Sequence, residues 1–247
     1  VIGGLKRIAE VATFLVPLMG SIYFGAMLIA LTLNLDQVFP AFKLILVDAF
    51  NGTAIAGGTF FGVLIYGVRR GAFSNEAGMG TESLVHGVAK VSDPVKQGLV
   101  AMTGPIFDTL IICTATALMI LISGVWETST SQGVTLTAEA FSMLLGNFGG
   151  FILFVCVICF GLSTIFTYSY YGASCSRFLF GKFGMKFYIY LYILSIFIYS
   201  IVPIDIAINI ADGAFAMMAI PTLVSALWLA PKVMQASKNY FKLIDSY

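Results

Sequence analysis

Histidine occurs once and tryptophan twice in these 247 residues, and charged side chains make up only 10% of the chain. With His86 alone, no paired-histidine metal centre can be built. No HExxH, GxSxG or phosphate-loop pattern occurs either, so no enzyme signature is present. A formal net charge of +1 excludes the broad basic surface that nucleic-acid binding requires. There are four cysteines, and all fall in or beside apolar stretches. The pair in Cys156-x-x-Cys159 has redox spacing but lacks the flanking strand and helix of a thiol–disulfide motif. Cys113, Cys156, Cys159 and Cys175 therefore read as small packing residues, and no disulfide is expected. The sequence opens Val1-Ile2-Gly3-Gly4-Leu5-Lys6-Arg7, without initiator Met, signal peptide or cleavage site. An N-terminal part of the protein is expected to lie outside it.

What is abundant is apolar: hydrophobic residues are 59% of the chain and the mean hydropathy is +0.97. A soluble domain of this length has too little interior to hide so much, which makes the fold class an all-α polytopic membrane protein. Runs long enough to cross a bilayer, about 20 residues each, fall at Ile8–Leu33, Phe42–Val68, Gly98–Val125, Phe148–Tyr171, Phe187–Val202 and Ile204–Leu229. Pro203 alone separates the last two. Twelve of the thirteen Lys and Arg lie before the first span, after the last, or on alternate loops; only Lys43 falls on the other side. By the positive-inside rule both termini and the 69–97 loop are cytoplasmic, and 126–147 is extracellular. The protein is thus expected to be a multi-pass plasma-membrane protein, with residues 1–247 one transmembrane domain embedded in the lipid bilayer.

The loops carry their own signals. Thr81 is expected to cap a short helix to Lys90, and Ser92-Asp93-Pro94 reads as a helix start. Outside, Thr128-Ser129-Thr130-Ser131-Gln132 is a polar turn, followed by a short amphipathic helix from Thr137 to about Leu145 that rests as a lid on the vestibule.

The second span breaks at Asn51-Gly52-Thr53-Ala54-Ile55-Ala56-Gly57-Gly58. Glycines and small polar residues at mid-depth weaken the helix and free main-chain groups where there is no bulk water. Irregular backbone is tolerated there only against protein or a cavity, the way transporters build ion and solute sites. Acids in apolar spans also need a reason, since a charge in lipid costs several kcal/mol. Asp48 lies just before the break, Asp108 about 15 Å along the third span by helical rise, and Asp212 within the sixth. Each caps a broken helix, bonds a neighbouring hydroxyl, or serves as a ligand. Span four carries Ser163-Thr164. Such hydroxyls bond back to a carbonyl one turn earlier or, beside unwound backbone, offer oxygens to Na⁺. For His86, structural hydrogen bonding competes with proton relay. Gly58-x-x-x-Gly62 and Gly67-x-x-x-Gly71 fit close helix packing.

The run Gly67-Val68-Arg69-Arg70-Gly71-Ala72-Phe73-Ser74-Asn75-Glu76-Ala77-Gly78-Met79-Gly80 resembles the signature of the alanine/glycine:cation symporter family. So do Pro94-Val95-Lys96-Gln97-Gly98-Leu99, Phe107-Asp108-Thr109, Thr114-Ala115-Thr116-Ala117-Leu118, Ser163-Thr164 with Tyr170-Tyr171-Gly172, Ala211-Asp212 and Ala219-Ile220-Pro221. The resemblance implies a leucine-transporter-like fold of two inverted five-helix repeats, of which this chain is a partial copy: core helix five and helices six to ten, the C-terminal half. It implies Na⁺-coupled symport of a small neutral amino acid, alanine or glycine, by alternating access, with Na⁺ as coupling ion and no other cofactor. The exposed backbone of Thr53, Ala54, Ile55, Ala56, Gly57 and Gly58 would then hold the amino acid, and Ser163 and Thr164 would contribute to a sodium site. Asp108, Asp212, Asn75 and Glu76 are candidates for gating or coupling. The other half of each site would come from the missing N-terminal half, so the chain alone is expected to be inactive.

Two departures bear on specificity. The family carries a Trp three residues before the Ala-Asp pair and an Asn-Gly three residues after it. Here these positions are Ile208 and Phe215-Ala216, so Ile208 would wall the substrate pocket in place of the indole. Glu82 stands where the family has a small apolar residue. Two other readings stay open: proton coupling through Asp108 or Asp212 with an altered substrate, and a non-transporting membrane module.

Overall fold

The computed structural model describes residues 4–50, 59–76 and 78–244, and these form helices joined by short turns. In chain order they are α1 (Gly4–Leu33), α2 (Leu35–Ala49), α3 (Thr59–Ser74), α4 (Thr81–His86), α5 (Pro94–Pro105), a π-helical segment (Ile106–Cys113), α6 (Thr114–Ser123), α7 (Val125–Thr128), α8 (Val134–Ile201) and α9 (Ile204–Ile244). Among the described residues four stretches are long and apolar enough to cross a membrane: Thr13–Leu33, Pro94–Ser123, Val134–Ile201 and Ile206–Ile244. Large apolar side chains cover the outer faces; Phe183 and Trp228 are each 81% exposed. Lipid tails are as apolar as leucine, so such faces need no protein cover in a bilayer.

The difference between six expected spans and four has two sources. α8 is a run of successive helices joined without a loop at two glycines whose backbone is not helical, Gly146 (φ 67°, ψ −166°) and Gly181 (φ 69°, ψ −158°). They divide it into 134–145, 147–180 and 182–201, which contain the expected outer helix and the expected fourth and fifth spans. The expected second span is α2 and α3, each too short to cross by itself, with its Gly-rich centre outside the described residues.

Three boundaries depart from the sequence reading. α2 begins at Leu35 rather than Phe42, because Asn34 turns the chain at once: its Nδ2 donates to the Ala30 carbonyl at 2.8 Å and so caps the end of α1. α4 stops at His86, four residues before the expected Lys90, and Gly80, not Thr81, is its N-cap. α9 continues beyond Leu229 to Ile244 through Pro231. The expected start at Asp93-Pro94 is present, the Val95 amide donating to Asp93 Oδ1 at 2.8 Å with Pro94 in the first turn. The break at Pro203 is present too: α8 ends at Ile201 and α9 starts at Ile204.

The chain divides into two compact units, one of Val1–Val63 and Ile111–Leu194, the other of Leu64–Leu110 and Ser195–Tyr247. In the first, Tyr23, Ala26, Met27 and Ala30 form one face of α1 at helical spacing and meet Met119, Phe141, Leu153 and Cys156. Tyr23 stacks on Phe141 (5.5 Å between centroids), meets Phe160 edge-on at 6.1 Å, and shares a 2.8 Å hydrogen bond with the Thr116 hydroxyl. Cys156 is buried in this core, the packing role expected of it, whereas Cys159 is half-buried and Cys113 and Cys175 are exposed; none of the four forms a disulfide. In the polar turn at 128–132, Ser131 Oγ donates to Glu139 Oε1 at 2.6 Å and ties the turn to the 134–145 helix.

Candidate functional site

The second unit gathers the signature residues. α3 ends in Ser74, and the Asn75 side chain donates back to the carbonyl of Gly71 at 3.0 Å, supplying a partner to a helix-end acceptor. The chain then coils through left-handed backbone at Glu76 (φ 53°), Gly78 (φ 76°) and Gly80 (φ 84°) before α4 begins. Only glycine takes such angles without strain, and here space adds a second demand. A Cβ on Gly80 would lie 3.0 Å from Thr222 Oγ1, and one on Gly78 would lie 3.3 Å from the Leu223 side chain, both on α9. The signature loop therefore lies directly on α9, with Met79 buried beneath it.

Two polar ties join the end of α3 to the π-helical segment. Ser74 Oγ donates to Asp108 Oδ2 at 2.5 Å, and Asn75 Nδ2 donates to Thr109 Oγ1 at 2.7 Å. Asp108 thus has the hydroxyl partner that one sequence reading required. The segment follows Pro105, which has no N–H to donate to the preceding turn, and widened π-turns of this kind recur at functional sites. Asn75 Oδ1 is buried and has no hydrogen-bond partner among the described residues.

A third tie is ionic: Arg69 of α3 pairs with Asp212 of α9. The Asp212 side chain is 8% exposed and that of Arg69 55%, so the acid is the buried member and the base the exposed one. The next residue, Arg70, lies with its guanidinium 5.1 Å from the centre of the Tyr66 ring. Beside the ion pair is a cavity of about 300 Å³ walled by Arg69, Ala72, Phe73, Asp212, Phe215 and Ala216. Phe73 and Phe215 meet edge-on at 4.9 Å on its rim. A second hollow of about 460 Å³ lies where α4 meets α5, and there His86 Nδ1 and Gln97 Nε2 are 2.8 Å apart. This is the structural hydrogen bond weighed for the single histidine.

The structure thus brings together Asn75 and Asp108 through neighbouring residues, and sets Asp212 against Arg69. Glu76 shapes the loop by its backbone, and Ile208 is half-buried on α9. Thr53, Ala54, Ile55, Ala56, Gly57 and Gly58 lie outside the described residues. Ser163 and Thr164 fall in the first unit, on an unbroken stretch of α8. Ser163 is buried and donates to the Phe160 carbonyl at 2.8 Å, whereas Thr164 is exposed. Thr167 and Ser169 bond back in the same way, at 2.9 Å and 2.6 Å. The helix that carries the Ser-Thr pair is unbroken; small polar side chains do not break it, because their hydroxyls bond within it. Sequence reasoning did not single out Ser74, Thr109 and Arg69 as partners. The signal available was the rule that a carboxylate in an apolar span needs a donor.

The profile of the sodium:alanine symporter family matches residues 1–246. The chain belongs to the sodium:alanine symporter family. It is similar to an uncharacterized transporter of Haemophilus influenzae, 34% identical over 98% of this chain and 54% of the relative. It is 35% identical to the sodium/alanine symporter AgcS of Methanococcus maripaludis, over 97% of this chain and 53% of that protein. To the probable sodium/glutamine symporter GlnT of Bacillus subtilis it is 33% identical, over 97% of this chain and 50% of that one. The chain therefore spans about half the length of these relatives. A family of transporters with apolar spanning helices makes this a multi-pass membrane protein and not an enzyme.

Proposed function

We propose that this chain is part of a sodium-coupled symporter that carries a small neutral amino acid across the cell membrane by alternating access, with both ends of the chain cytoplasmic. The observation that carries the reading is the signature loop. Ser74 and Asn75 are bonded to Asp108 and its neighbour Thr109, Arg69 is bonded to Asp212, and all of this lies within a family profile that covers the chain. In a leucine-transporter-like inverted-repeat fold the discontinuous helix would be α2 with α3. Thr53, Ala54, Ile55, Ala56, Gly57, Gly58 and Ile208 are the proposed amino-acid-binding residues. Glycines and small residues in an apolar span suit a substrate whose own charges need polar partners in lipid. The half of the site that this chain lacks would come from the rest of the protein, so the chain by itself would not transport.

Ser163 and Thr164 are the proposed sodium ligands of α8. A hydroxyl that donates to a carbonyl still has lone pairs for a hard cation, so the Ser163–Phe160 bond is compatible with this role. The test is uptake of radiolabelled alanine, glycine and glutamine by the full-length protein in proteoliposomes, with and without a Na⁺ gradient. Uptake indifferent to the gradient would refute the coupling. Ser163→Ala should abolish Na⁺ stimulation while leaving the helix folded, because alanine is the best helix former. Stimulation that persists in Ser163→Ala would refute Ser163 as a sodium ligand, whereas uptake driven by a proton gradient without Na⁺ would favour proton coupling through Asp108 or Asp212.

A further inference from the structure

We infer that the cavity beside Arg69 and Asp212 is a binding site for a zwitterionic α-amino acid, built from residues other than Thr53–Gly58. The proposal rests on the transporter reading only for the identity of the substrate class. The site itself follows from its own chemistry. Its volume of about 300 Å³ lies at the small end of the range for small-molecule sites, about 300–1,000 Å³. One wall is charged and the rest is apolar, with Phe73 and Phe215 at the rim and Ala72 and Ala216 leaving the space open.

An α-amino acid has a carboxylate and an ammonium on the same carbon, one charge for each member of the pair. Its ammonium replaces the guanidinium at the buried Asp212 carboxylate. Its carboxylate goes to Arg69, the more exposed member of the pair. The exchange is charge-neutral: one ion pair becomes two, and no charge in the site is left alone. The fork of the guanidinium suits a carboxylate in two-point contact. A simple acid would occupy Arg69 and strand Asp212, and a simple amine would do the reverse; either leaves a desolvated charge unpaired. The side chain of the amino acid faces the aromatic and alanine walls. An ion pair serving only as a latch would need no void next to it.

The experiment is saturation-transfer-difference NMR on the full-length protein in detergent, in Na⁺-free choline buffer, with alanine, propionate and ethylamine as probes. Alanine should show methyl saturation that falls in Arg69→Gln and Asp212→Asn with affinity weakened about tenfold or more, the usual loss of a charged partner. Arg69→Lys should retain part of it. Propionate and ethylamine should give no more signal than alanine gives with the two neutralised variants. Equal alanine signals in wild type and Arg69→Gln, no alanine signal in wild type, or a propionate or ethylamine signal matching that of alanine would each overturn the assignment. Arg69 is on the exposed side of the pair, so Arg69→Gln carries the test even if Asp212→Asn fails to fold. Gradient-driven uptake is measured separately, so a failure of Na⁺ coupling and a failure of this site give different results.

Discussion

Replacing Gly80 by alanine tests the geometry of the signature loop directly. The residue has φ +84°, and the added methyl would stand 3.0 Å from Thr222 Oγ1. Left-handed backbone costs a residue with a Cβ about 1–2 kcal/mol. Thr222 cannot simply turn away, because its hydroxyl donates to the Met218 carbonyl at 2.8 Å. Giving up that bond costs about 0.5–1.5 kcal/mol more. The sum, about 1.5–3.5 kcal/mol, should lower the melting temperature of the detergent-solubilised full-length protein by several degrees, at about 2–4 °C per kcal/mol for a domain of this size. A double-mutant cycle separates the two parts. With Thr222→Ala as background the contact is gone, and Gly80→Ala should then cost only the backbone strain. Gly98→Ala, where a Cβ would meet nothing within 4 Å, is the control and should be neutral or mildly stabilising. A Gly80→Ala protein that melts with the wild type would refute the left-handed turn and the contact with α9 together.

Two further outcomes can be checked in the same assay. Asp93→Ala removes the acceptor for the Val95 amide at the start of α5. It should cost about 1 kcal/mol, whereas Asp93→Ser should cost far less; equal losses would mean the cap contributes nothing. In the first unit, a Cβ on Gly172 would fall on the phenol of Tyr188, whose ring stacks on Tyr192 at 5.9 Å. Gly172→Ala should therefore destabilise by about 1–3 kcal/mol through overpacking. Gly161→Ala, with open space around it, should not, and a reversal of that order would contradict the packing of 147–180 against 182–201.

Much of the site was legible because its signals are local. Asp93-Pro94 is a helix start wherever it occurs, since the acid caps and the proline needs no donor, and the structure has it there. Pro203 ended one helix and began another as its missing N–H requires. The polar residues of span four bond back within their helix, as the ordinary behaviour of such hydroxyls predicts. What was not legible depended on contacts distant in sequence. Nothing near Asp212 announces Arg69, 143 residues away, and nothing near Asp108 announces Ser74. The extension of α2 back to Leu35 was missed for a different reason: Asn34 reads as a loop residue, yet its side chain closes one helix so tightly that the next begins beside it.

By itself the sequence determined that this is a membrane protein, because so apolar a chain has no other solvent in which to fold. It also determined the family, through a signature too specific to arise from composition. Tertiary structure decided which charges inside the apolar helices are paired. Pairing depends on where α3, the π-helical segment and α9 come to lie, and desolvation makes those few contacts matter. It also decided that the loop after α3 must be glycine at Gly80. There the constraint is not the turn alone but the hydroxyl of Thr222 waiting 3.0 Å away.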